Sequence, residues 1–131
     1  MPQRHPEFKA PDSAGTPDVM LRSNDGTSFL AHQRYLSTNS VFFEHMFVPD
    51  NNLSTTTEGL AVVDMEESAI VLKVLLHHFY PSCSFPMSEL HHSELMDCLR
   101  AADKLEHPRA ISSLTSAFLA DQYVHHIIVF A

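Results

Sequence analysis

Glycine is scarce: the 131 residues hold three, Gly15, Gly26 and Gly59, too far apart to form a glycine-rich loop that cradles phosphate. Cysteine is scarcer. Cys83 and Cys98 alone cannot build a disulfide framework, which points to a reducing compartment inside the cell, cytoplasm or nucleus. Basic side chains are outnumbered, eight Lys and Arg against sixteen Asp and Glu, giving a formal charge of −8. A nucleic-acid binder needs a basic surface to release phosphate counterions, so this balance counts against DNA and RNA as partners. No apolar run approaches the ~20 residues of a membrane span, so no membrane partner is expected. The first residues also lack the charged, apolar, small-residue order of a secretory signal.

What is present suits one hydrophobic core: 44% apolar and 18% charged residues is an ordinary globular mix at single-domain length. Residues 1–16 carry Pro2, Pro6 and Pro11 and only one large apolar side chain, Phe8, and are expected to form a flexible N-terminal segment ahead of a domain over 17–131. Val19 to Ser23 and Thr27 to Ala31 flank Asn24-Asp25-Gly26, a strong hairpin signal. Alternation puts Val19 and Leu21 on one face with Phe29 and Ala31, and leaves Met20 and Leu30 on the other, for a second layer or a partner to cover. Ser40 is placed to cap a short helix over Val41 to Phe47, whose Phe43, Met46 and Phe47 share a face, whereas Phe42 suits core or partner equally. Val48 to Gly59 reads as a polar loop, and Leu60 to Val63 as a third strand. The stretch Ala69 to Tyr80 is apolar almost all round, which predicts a central helix ended by Pro81. Helices are expected from about His92 to His107, ended by Pro108, and from Arg109 to about Tyr123. The fold class is therefore α+β, a small three-stranded sheet with a β-hairpin covered by about five helices.

Few residues suggest chemistry. Three adjacent histidine pairs, His77-His78, His91-His92 and His125-His126, stand about 100° apart if helical and cannot clamp one ion as i, i+4 ligands do. With no zinc-type cysteine spacing either, neither a metal nor another cofactor is expected. His32 with Asp18 and Ser37 or Ser40 would make a remote small hydrolase, but no Gly-x-Ser-x-Gly elbow accompanies them, so a hydrogen-bonded structural histidine and no catalytic site are expected. The acidic run Asp64, Glu66 and Glu67 is read as stabilising the start of the next helix through its dipole. Ile127 to Phe130 reads as the buried edge of the last helix or a strand laid on the body, with a partner-docking tail as the alternative.

The order of motifs resembles a BTB/POZ domain. It is carried by Asp18-Val19-Met20-Leu21, the Asp25-Gly26 turn, Phe29-x-Ala31-His32, Leu36, and Ser40-x-x-Phe43-x-x-Met46-Phe47. It continues through Leu60-Ala61-Val62-Val63, Phe79-Tyr80-Pro81 and Leu99-Arg100-Ala101-Ala102-Asp103-Lys104-Leu105, so that roughly residues 17–120 are covered. The Tyr-Pro step and the long loop before Leu60 look most like compact fungal BTB chains. The resemblance implies a protein–protein interaction module, an adaptor or scaffold that binds protein partners including a second copy of itself as a homodimer. It also implies where partners would bind: Asp18, Met20, Leu30, Gln33 and Arg34 around the hairpin and first helix, and Val48 and Asp50 in the loop that follows. Two departures stand out. Repressor-type members pair the acid at Asp18 with a basic residue where this chain has Gln33, Arg34 coming one position later, which argues against a corepressor-type pocket. Members that bind a cullin scaffold carry an apolar-x-Glu motif, and Val48-Pro49-Asp50 replaces its Glu with Asp, leaving a bare cullin adaptor as the alternative reading.

Overall fold

A computed structural model describes residues 15–48, 53–80 and 85–130, with residue 88 and residues 121–130 described along the backbone only. The expected N-terminal segment therefore lies outside the described residues up to residue 14, as do Asp50, Cys83 and Pro81.

The hairpin forms as its turn residues require. Strands β1 (Val19–Arg22) and β2 (Ser28–Ala31) pair antiparallel, Val19 opposite Ala31 and Leu21 opposite Phe29. Gly26 closes the turn at φ 86°, where a Cβ would be strained, and its N–H donates to the Ser23 carbonyl at 3.1 Å. The same turn serves as a clamp. Asn24 donates its backbone N–H to the Glu67 carbonyl and its side-chain amide to the Glu66 carbonyl, each at 2.8 Å, while an Asp25 carboxylate oxygen accepts the Ala69 N–H at 3.3 Å.

Two short helices follow, α1 (Gln33–Asn39) and α2 (Val41–Met46). Ser40 caps α2 as expected, its hydroxyl accepting the Phe43 N–H at 3.2 Å; it also donates to the Leu105 carbonyl at 2.6 Å, tying this helix to a distant corner of the chain. Among the described residues the sheet has four strands where three were expected. Ser54 and Thr55 form β3 (Ser54–Thr55) against β4 (Ala61–Asp64), inside the stretch read as a polar loop. A two-residue exposed strand has no apolar alternation to announce it. The strand order is β2-β1-β4-β3, with β1 and β4 parallel.

The central helix α3 (Ala69–His77) stops short of Tyr80, the chain turning at His78 through N–H bonds to the Leu75 and Leu76 carbonyls. A single 3₁₀ turn at Met87–Glu89 precedes α4 (His92–Lys104), which ends three residues before His107. Pro108 opens α5 (Pro108–Phe130) instead of ending α4, since proline at a first helical position forfeits only an N–H that has no intrahelical partner. The helix runs past Tyr123, so the Ile127 to Phe130 backbone is helical and no strand. The inner face of the sheet (Val19, Leu21, Phe29, Ala31, Ala61, Val63) packs into one core with Leu36, Phe43, Val74, Leu75, Leu95, Ala102 and Leu114.

Candidate interaction surface

The outer face of the sheet and the adjoining start of α1 hold Asp18, Met20, Leu30, Gln33 and Arg34 of the residues that the sequence singled out. Side chains alternate, so Asp18, Met20 and Arg22 share the face opposite Val19 and Leu21. Met20 stands between Leu30 of β2 and Val62 of β4 in register, and Ser54 of β3 faces Val62 beyond. Leu30, Met20 and Val62 thus form an apolar row, each half-buried. Val62 is the member that sequence reasoning missed; the parallel pairing of β1 with β4 brings it there.

A polar row borders that stripe. Arg22 holds Asp64 through two hydrogen bonds, Nε to Oδ1 at 2.8 Å and Nη2 to Oδ2 at 3.2 Å. The guanidinium keeps the Asp64 carboxyl below its ordinary range, chiefly by hydrogen bonding. At the other end Asp18 accepts the Gln33 N–H at 2.8 Å, and the Gln33 amide returns a bond to the Asp18 carbonyl at 3.3 Å. Asp18 therefore caps α1 from the position just before β1, with Gln33 where a repressor-type pocket would hold a basic group. Arg34 is exposed, its guanidinium 5.3 Å from the Tyr35 ring centroid. Val48 stands apart at the end of α2, 42% exposed.

The acidic run does not serve a helix dipole. Asp64 belongs to Arg22, and Glu66 and Glu67 reach Lys104 on α4 at 3.4 and 2.7 Å. The first turn of α3 carries no acid. Phe42 resolves as partly buried against the core, with the Lys104 ammonium 5.8 Å above its ring.

His32 is held in place. Its ring is buried, Nε2 lies 2.8 Å from the Gly15 carbonyl and Nδ1 lies 2.7 Å from the Tyr80 hydroxyl. A carbonyl can only accept, so Nε2 carries a proton, and in the neutral ring Tyr80 then donates to Nδ1; the hydroxyl in turn accepts the His32 backbone N–H at 3.0 Å. Asp18, Ser37 and Ser40 direct their bonds elsewhere, to Gln33, to the Gln33 carbonyl at 2.5 Å and to the Leu105 carbonyl, so these three form no triad with His32. His77 and His78 each bond the carbonyl four residues earlier, at 2.7 and 2.9 Å. Among the described residues no three metal-ligating side chains gather, and no helix is long and apolar enough to cross a membrane. The Cys98 thiol is pushed up to about 12, mainly by burial and then by Asp97 and Glu94, which leaves it unreactive at neutral pH.

The described residues thus form a small mixed sheet with a hairpin at one edge, helices over its inner face and a half-exposed outer face. The BTB/POZ domain model matches residues 9–122, and the chain belongs to that family. Among solved structures, the BTB domain of zebrafish PATZ1 superposes with a TM-score of 0.59 at 22% identity, covering 82% of this chain and 81% of that one. No curated protein matches the sequence.

Proposed function

We propose that this domain works as a non-catalytic adaptor that self-associates and presents the outer face of its sheet, with the adjoining start of α1, to protein partners. The observation that carries the reading is the Leu30-Met20-Val62 row, apolar side chains left half-buried and bordered by fixed polar groups at Arg22, Asp64, Asp18 and Gln33. An apolar centre with a polar rim is the anatomy of a specific protein interface. Its scarce cysteines support work inside the cell, in cytoplasm or nucleus.

Light scattering over a concentration series tests self-association: a mass approaching twice the 14.7 kDa chain is expected at tens of micromolar, and a strict monomer there refutes the homodimer. Met20→Glu with Leu30→Glu should abolish partner capture while circular dichroism shows the helices intact. A bare cullin adaptor is the second reading, favoured by the exposure of Val48. Pull-down with a cullin N-terminal domain decides it; weak or no binding is expected because Asp50 stands where the motif has Glu.

A further inference from the structure

The corner joining α4 to α5 contains a buried histidine that none of the foregoing uses. His107 is 0% exposed. Its ring lies 4.2 Å from that of Phe79 and 6.4 Å from that of His78. Its Nδ1 accepts the Ala110 N–H at a long 3.5 Å, so the side chain caps the first turn of α5. Its Nε2 is buried with no hydrogen-bond partner.

We propose that His107 is a proton-titrated cap, which seats the start of α5 on the body while neutral and unseats it when protonated. Three features of the geometry require this. Protonation would turn Nδ1 from acceptor to donor, facing the Ala110 N–H that it now serves. The new charge would sit at a helix N-terminus, the positive end of the dipole. It would also be placed out of water with nothing bonded to Nε2.

Among the described residues, the groups that face the ring offer no relief. From the end of α3 comes His78, whose Nδ1 bonds the Val74 carbonyl and whose Nε2 bonds the Ser113 hydroxyl at 3.0 Å. From α5 comes Arg109, a like charge. On α4 and the following turn, Asp103 and Glu106 are exposed to solvent. Burial first, then His78 and Arg109, hold His107 down to about 4 from 6.5, and burial lowers His78 as well. Above pH 6.5 the group is neutral folded or unfolded and costs nothing. Below it the unfolded chain takes up the proton while the folded chain does not, so stability falls until about pH 4. A gap of about 2.5 pH units lowers the folding equilibrium about 150-fold by pH 4, where the folded ring is itself half protonated, and about 300-fold in the limit below it.

The test compares wild type with His107→Asn, which can still cap but cannot titrate, by urea unfolding between pH 7.5 and 4 with amide exchange along α5. Wild type should lose about 150-fold more in its folding constant than the variant by pH 4, and amides of the first turns of α5 should lose protection before those of β1. Parallel stability profiles overturn the proposal. Should the variant fail to fold, NMR titration of the wild-type His107 ring decides. A midpoint near 4 that coincides with loss of α5 protection supports the proposal, and a midpoint near 6.5 with α5 still protected overturns it.

Discussion

Removing one oxygen atom should expose how the N-terminal edge of the domain is held. Tyr80 is 1% exposed, and its hydroxyl meets both the backbone N–H and the Nδ1 of His32. Tyr80→Phe keeps the ring and its packing on Tyr35, 4.7 Å between centroids, so little cavity forms. It strips a partner from two buried polar groups 48 residues away in sequence. An orphaned buried donor or acceptor costs about 1–3 kcal/mol; the fixed backbone N–H bears the full penalty and the ring part of it, giving about 2–4 kcal/mol. With a urea slope near 2 kcal/mol/M, the midpoint should fall by about 1–2 M at unchanged slope. The imidazole would lose its orientation too, loosening its grip on the Gly15 carbonyl, so the amides of residues 15–18 should exchange faster. A double-mutant cycle with His32→Leu should return a coupling of at least about 1 kcal/mol. A midpoint shift below about 0.3 M, or additive single mutants, would refute the reasoning.

Leu114→Ala, at a wholly buried position of α5, should lower stability by about 2–5 kcal/mol in thermal unfolding through lost burial and a residual cavity. Ser40→Ala removes a cap together with a bond across to Leu105 and should cost about 1–2 kcal/mol by urea titration, the upper end of the range for caps. Cys98 should resist thiol reagents in the folded protein at pH 8 and react at once in denaturant, since burial keeps its thiol protonated.

Local signals were legible wherever they repeat at the period of the element. Alternation in Val19 to Arg22 and Ser28 to Ala31, with Asp25-Gly26 between, placed the hairpin, and a stretch apolar on all sides placed α3 at the centre. Boundaries were less legible, because they are set by what the ends touch. The end of α3 is fixed by the turn at His78, which sends Phe79 and Tyr80 inward as single side chains. β3 exists only because β4 supplies hydrogen bonds to a polar segment, so nothing in Ser54-Thr55 itself could announce it.

The surface shows the same division more sharply. Met20 and Leu30 could be assigned to the outer face from alternation alone, but joining them to Val62 required the parallel pairing of strands some forty residues apart. The ion pairs were hidden for that reason: Asp64, Glu66 and Glu67 look like acids heading a helix until the fold brings Arg22 and Lys104 to them. One pattern shows only once the helix boundaries are in place. His32, His91 and His107 each stand immediately before a helix, and their surroundings separate their roles. His91 is exposed, and its N–H is served by Glu94 at 2.8 Å; His32 is locked by Tyr80 and Gly15; His107 is sealed in the core with one nitrogen capping α5 and the other bonded to nothing. Residue type and position made all three look alike, and only burial and partners turn one into a solvent-facing helix start, one into a strut and one into a titratable latch.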